Sequence, residues 1–266
     1  MTERTFARPR RHLAMLFASG GLWFRLAQCF AAAWGGAFYR ASADGGEVAV
    51  VYSRQIPESK EVAAHYAKLR QVPANQLIEI DVPFGESISR AEYARKIEGP
   101  ILQALDERHL LSLKTILKPA TPTEPGGFRH TCTGGKIRYL VMTWGLPYRI
   151  LPDPKLHEPT NGIPPVLQRN EACVDNELAL LPASGSYALT GPLYNRVSFA
   201  ATNPAVLNPA NQLLMVTRLD GPTPAIARQL VDTAVNVEKT GLWGHAYFDL
   251  RSIGGDYKLG DTFMTK

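Results

Sequence analysis

The segment Leu213-Leu-Met-Val-Thr-Arg-Leu-Asp-Gly-Pro-Thr-Pro224, followed by a helical run and then Trp243-Gly-His-Ala-Tyr-Phe-Asp249, restricts the fold more than any other part of the chain. A short apolar run ends at Arg218 and Asp220. Thr223 and Pro224 then supply the N-cap and first position of a helix, and Gly241 closes it. Strand, turn, helix and strand in that order define a parallel α/β unit. Polar residues at the strand ends fall on the carboxyl edge of the sheet, where open α/β sheets hold their ligands.

The same alternation runs back to Asp44. Glu47–Tyr52 reads as a buried first strand, and Pro57–Arg70 as a helix with Val62, Ala63, Tyr66 and Leu69 on one face. Gln76–Val82 is the second strand. Ser89-x-x-Glu92 is a capping box opening a helix that runs to about Leu110, disturbed at Gly99-Pro100. Lys136–Trp144, Gln212–Leu219 and Leu242–Phe248 supply the third, fourth and fifth strands. Right-handed crossovers then predict one α/β domain from Asp44 to Lys266, a mainly parallel open sheet of about five strands ordered 2-1-3-4-5, with helices on both faces. Residues 114–135 and 145–211, rich in Pro and Gly, are expected as long loops; the second carries one short helix, Asp175–Leu181, stopped by Pro182. The series halts at the start of a crossover after Asp249, so an interrupted sheet with an open edge and a tendency to aggregate is expected.

The formal charge of +5 suggests nucleic acid, but its position argues against that. Of 29 Lys+Arg and 24 Asp+Glu, residues 1–43 hold six Arg and one Glu, leaving 23 of each sign from Asp44 onward. A neutral body removes the electrostatic case for a polyanion partner, and no nucleic acid is expected. The basic excess instead resembles an export signal: Arg8, Arg10 and Arg11 precede apolar runs Leu13–Phe24 and Leu26–Tyr39, and Ala41-Ser-Ala43 is a small-x-small cleavage site before Asp44. Arg25 splits the apolar run; translation from Met15 would make it the charge ahead of a 14-residue apolar core. Neither half reaches the ~18 residues of a membrane span, so a cleaved leader, a periplasmic or cell-surface location and no integral span in the mature chain are expected.

Chemistry-bearing residues gather at strand ends: Arg54, Asp81, Trp144, Arg218, Asp220 and Asp249. They read either as a polar ligand site or as rim charges that pair with one another and cap helices. Asp175 and Glu177 suggest acid–base work, but spacing i, i+2 separates them on a helix; Asp175 as N-cap with Glu177 in the first turn is the plainer alternative. Cys132 and Cys173 either oxidise to each other or stay as buried thiols. No glycine-rich elbow surrounds Cys173, and His130 with Cys132 lacks a second ligand pair, so neither nucleophilic catalysis nor a metal is expected. Gly134-Gly-Lys136 precedes its strand, and no Gly-x-Gly-x-x-Gly follows the first strand, so no nucleotide cofactor is expected.

Four blocks carry a resemblance: Val50-Val-Tyr-Ser-Arg-Gln-Ile-Pro-Glu-Ser59, Ile137-Arg-Tyr-Leu-Val-Met-Thr-Trp-Gly-Leu-Pro-Tyr-Arg-Ile150, Val174-Asp-Asn-Glu-Leu-Ala-Leu-Leu181 and Val216-Thr-Arg-Leu-Asp-Gly-Pro222. Together they resemble an exported bacterial family of no established activity that accompanies exosortase (PEP-CTERM) protein sorting. The resemblance implies a role in cell-surface protein sorting or envelope biogenesis. It implies Ser at the position of Cys173, against a nucleophilic role there, and further strands beyond Asp249 that this chain lacks. More remotely, Tyr139–Met142, Met215–Arg218 and Ala225–Glu238 resemble the gingipain-like cysteine peptidases, whose catalytic part would lie past Lys266. The expectations are therefore an exported protein of the envelope; a peptidase-like hydrolase working from Arg54, Asp175, Glu177, Arg218, Asp220 and Asp249; or a non-catalytic module holding a peptide, glycan or envelope protein on that rim.

Overall fold

The computed structural model describes residues 45–119, 127–193 and 206–244, together with Leu250 and Lys258. β1 (Val48–Ser53) is followed by α1 (Pro57–Arg70) and β2 (Leu77–Ile80). β6 (Tyr139–Met142) and β9 (Met215–Arg218) complete the main sheet, ordered β2-β1-β6-β9 and parallel throughout. The register places Val50 beside Leu77, Val48 beside Tyr139, and Tyr139 beside Met215. This is the α/β class and the strand order expected for the first four strands. Among the described residues the sheet has four strands rather than five. Leu242 and Trp243, at the start of the expected fifth strand, are exposed and extend no ladder; residues 245–249, Asp249 included, lie outside the described residues. The expected leader, residues 1–43, also lies outside them.

Local signals set the helix ends. Pro57 opens α1, and Gln71 closes it in the left-handed region. Ser89 Oγ accepts from Glu92 N–H at 3.3 Å and donates to Glu92 Oε2 at 2.9 Å, the two residues of the expected capping box. α2 (Arg90–Tyr93) passes through a π-turn, Ala94–Glu98, into α3 (Gly99–Glu107). The wider turn lies just ahead of Gly99-Pro100, where Pro100 has no N–H to give the preceding turn. The helix therefore continues through the proline instead of ending there. α5 (Pro224–Thr240) begins with Thr223 Oγ1 accepting from Ile226 N–H and ends at Gly241, where φ is 80°.

Alternation in the strands sends side chains to two cores. Val48, Val50 and Val141 meet Ala63 and Ala67 of α1, against which α5 packs. Ala49, Val51, Ile78, Leu140 and Met142 meet Ile97, Ile101 and Leu105 on the other face, with Val174 and Leu178 of α4 (Val174–Ala179). Each fully buried Leu or Ile here contributes roughly 1.5–3 kcal/mol relative to exposure. Among the described residues no helix is long and apolar enough to cross a membrane.

The loop expected over 114–135 is corrected. β4 (Leu111–Lys118) and β5 (Gly127–Gly135) form an antiparallel hairpin from Leu111↔Gly135 to Lys118↔Gly127, with an irregularity between Ser112 and Leu113. Its outer half projects Ile116, Leu117 and Phe128 into solvent, so no buried face imposes the alternation that would have announced a strand. Within 145–211, the pairs Arg149–Ile150 (β7) and Ala172–Cys173 (β8) join Ser87–Ile88 (β3) in a second sheet, β3-β7-β8. Strands of two residues are too short to show a period.

Candidate functional site

The rim residues separate into four groups. Arg54, held after β1 by its N–H to Ile80 O, reaches Asp81 across the carboxyl end of β2, and Gln55 joins the same carboxylate. These contacts keep the Asp81 carboxyl below, and the Arg54 guanidinium above, their ordinary ranges. The pair is solvent-exposed and contributes little to stability.

Arg218, at the end of β9, is enclosed. Its Nη2 and Nε donate to the two Asp175 oxygens at 2.6 and 3.1 Å, while Nη1 reaches Leu146 O at 2.7 Å and Nη2 reaches Pro147 O at 3.0 Å. One guanidinium thus ties β9, the loop after β6, and α4 together. The expected N-cap role of Asp175 is corrected by the same contacts. The cap falls two residues earlier, at Cys173, which makes no side-chain bond there, and the Asp175 carboxylate turns to the fork of Arg218. A bidentate charge-assisted pair is stronger than a single bond to a backbone N–H.

Glu177, two residues on, faces elsewhere, as the spacing requires. It is buried, accepts from Arg90 Nη1 at 2.7 Å and from the Tyr187 hydroxyl at 2.9 Å, and Arg90 also donates to Asn170 O at 2.8 Å. Ser184 Oγ donates to Glu98 beside it. Burial raises the Glu98 carboxyl above the usual range, further raised by the Glu177 charge and opposed by Ser184 and Arg90. Burial likewise keeps the Tyr93 and Tyr187 hydroxyls protonated. Arg90 was invisible as a partner because it lies 87 positions from Glu177 in sequence.

The fourth rim carboxylate, Asp220, lines a cleft of about 450 Å³ on the carboxyl side of β6 and β9. Trp144 and Gly145 enter it from the end of β6, Asp220 and Gly221 from the end of β9, and Phe84 and Glu86 from the chain after β2. Tyr148 completes the wall. The Phe84 and Trp144 rings lie 5.2 Å apart, tilted by 38°. Trp144 Nε1 donates to Gly221 O at 3.0 Å, which fixes the indole across the two strand ends. Gly145 has φ 81°, and a Cβ there would come within 2.9 Å of Phe84 Cδ2, so glycine lets the phenyl ring close on the loop. Tyr148 donates to Glu86 Oε2 at 3.1 Å, and that bond keeps its phenol protonated. Asp220 Oδ1 accepts from Gly221 N–H at 2.8 Å. The strand-end rule identifies Trp144 and Asp220 from sequence. Applied to the loop after β2, it also reaches Phe84 and Glu86.

The remaining candidates are placed apart. Cys132 is buried in β5, its thiol raised by burial, and Cys173 is exposed; both are free. His130 pairs with Thr115 Oγ1 at 3.0 Å on the hairpin, and burial lowers its pKa. Among the described residues no group of His, Cys, Asp and Glu is arranged to hold a metal ion.

The fold and the cleft define a parallel α/β protein with an aromatic, carboxylate-bearing site at the carboxyl edge of its sheet. Compared with known proteins, the chain matches no family model, no curated protein and no solved structure.

Proposed function

We propose that this is an exported binding protein of the cell envelope, active in cell-surface protein sorting or envelope biogenesis, that holds a peptide or glycan in the cleft at the ends of β6 and β9. The observation that carries the binding role is the open aromatic wall of Phe84, Trp144 and Tyr148 with Glu86 and Asp220 beside it. Aromatic faces supply contact area at low entropic cost, and the carboxylates orient polar groups of the ligand. Arg54, Glu177 and Arg218, by contrast, are already engaged by protein partners. The export part rests on the sequence of residues 1–43.

The test is a titration of the exported protein against envelope glycan fragments and short peptides, with product release followed in the same samples. Saturable binding without turnover, lost in Trp144→Ala and kept in Arg54→Ala, is expected. Turnover that disappears in Asp220→Asn would replace the binding role with a hydrolase. Fractionation with mass spectrometry of the mature N-terminus checks export, with cleavage before Asp44 expected.

A further inference from the structure

We infer that the occupant of this cleft is a cationic side chain, a lysine ammonium or arginine guanidinium carried on a peptide. The inference rests on the binding role proposed above and names its ligand class.

Three observations point the same way. The described lining contains two carboxylates and no Lys, Arg or His. The body of the protein is balanced in sign, so this local excess is not a reflection of net charge. Arg218, two residues before Asp220, gives its donors to Asp175, Leu146 O and Pro147 O rather than to Asp220.

The carboxylates are also half-prepared. Tyr148 takes one oxygen of Glu86, and Gly221 N–H takes one oxygen of Asp220. Glu86 Oε1 and Asp220 Oδ2 have no hydrogen-bond partner among the described residues. Each carboxylate is thereby oriented and keeps an acceptor for a ligand donor.

The aromatic wall supplies the third element. Phe84 is 64% exposed and Tyr148 44% exposed, and Trp144 lies between the strand ends with its ring against Phe84. Exposed aromatic faces beside carboxylates attract a cation through the ring quadrupole while the carboxylates take its N–H groups. An anionic ligand would meet two like charges in the same space and is disfavoured. Arg149 follows Tyr148 in the chain but is not part of the lining.

The probes are a lysine hexapeptide, the same peptide with every Nζ acetylated, and the neutral sugar chitohexaose, each titrated calorimetrically into the exported protein at low salt. Acetylation removes the charge and keeps the length. The lysine peptide is expected to bind at least about tenfold more tightly than its acetylated form, and to weaken as salt rises. The Glu86→Gln, Asp220→Asn double variant is expected to erase that preference. Phe84→Ala, at an exposed ring, is expected to weaken the lysine peptide without changing the melting curve. Binding of chitohexaose or of the acetylated peptide equal to or tighter than the lysine peptide, and sensitive to Phe84→Ala, would overturn the cation while leaving the cleft as the binding site. Absence of any Phe84-dependent binding would overturn both.

Discussion

The guanidinium of Arg218 is the joint on which the carboxyl edge depends, and a double-mutant cycle with Asp175 measures it. The Arg218 side chain is 13% exposed and that of Asp175 27%, so the pair is mostly withdrawn from water. Arg218→Ala strands one carboxylate and leaves two carbonyls, Leu146 O and Pro147 O, without their donor. Breaking a buried pair costs about 3–5 kcal/mol, and the residual exposure of Asp175 places this site near the lower end, about 3 kcal/mol. Asp175→Ala costs less, about 2 kcal/mol, because Arg218 keeps both carbonyl acceptors. The double variant costs about 3 kcal/mol rather than the sum, so the coupling is about 2 kcal/mol. For a domain of this size 3 kcal/mol lowers the melting temperature by about 9 °C. Urea unfolding followed by far-ultraviolet circular dichroism gives all four free energies. Additivity within about 0.5 kcal/mol would refute the clamp.

Two further outcomes follow from buried and strained positions. Burial raises the Glu98 carboxyl above the ordinary range of a glutamate. A carboxyl raised on folding contributes stability that is full below its unfolded pKa and lost as pH climbs through the folded one. Glu98→Gln should therefore match the parent in urea midpoint near pH 4 and exceed it at pH 7; a variant weakened equally at both would refute this. Gly145→Ala forces a Cβ into φ 81° and within 2.9 Å of Phe84. It should cost about 1–2 kcal/mol and displace the Phe84 ring, weakening cleft binding; an unchanged melting curve with unchanged affinity would show that the loop tolerates it.

The parallel sheet was legible because its signals are local. Pro57, Ser89, Thr223, Pro224 and Gly241 mark helix ends within a few residues, and the apolar runs between them leave few topologies. Trp144 and Asp220 were legible for the same reason, since each lies two residues past the end of a strand. What was not legible depends on long separations. Asp175 meets Arg218 across 43 positions and Glu177 meets Arg90 across 87, so no spacing rule pairs them. Asp175 accordingly looked like a helix cap until its guanidinium partner was visible. The β4–β5 hairpin escaped for a different reason. Ile116 is exposed on one face of β4, and Leu117 and Phe128 are exposed on the other across the pair, so hydrophobicity tracks neither water nor core there.

The topology also explains why the cleft lies one strand away from the usual place. In an open sheet ordered β2-β1-β6-β9 the switch point falls between β1 and β6, where a crevice normally receives the ligand. Here that crevice is filled by hydroxyls. Ser53, Ser59 and Thr143 are fully buried; Ser53 N–H donates to Ser59 Oγ at 3.1 Å, and Ser59 and Thr143 bond at 2.7 Å. Thr143 gives its proton to Val51 O at 2.9 Å, so Ser59 is the donor to Thr143 and no hydroxyl proton is left over. Ser53 Oγ donates to Val82 O, which draws the chain leaving β2 across the end of β1. That chain goes on to set Phe84 against Trp144 and Gly85 N–H toward Gly145 O. The segment that closes the switch point is therefore the one that supplies the aromatic wall and Glu86. Closing one crevice builds the other, which explains why the cleft at this edge is lined by residues that follow β2, β6 and β9.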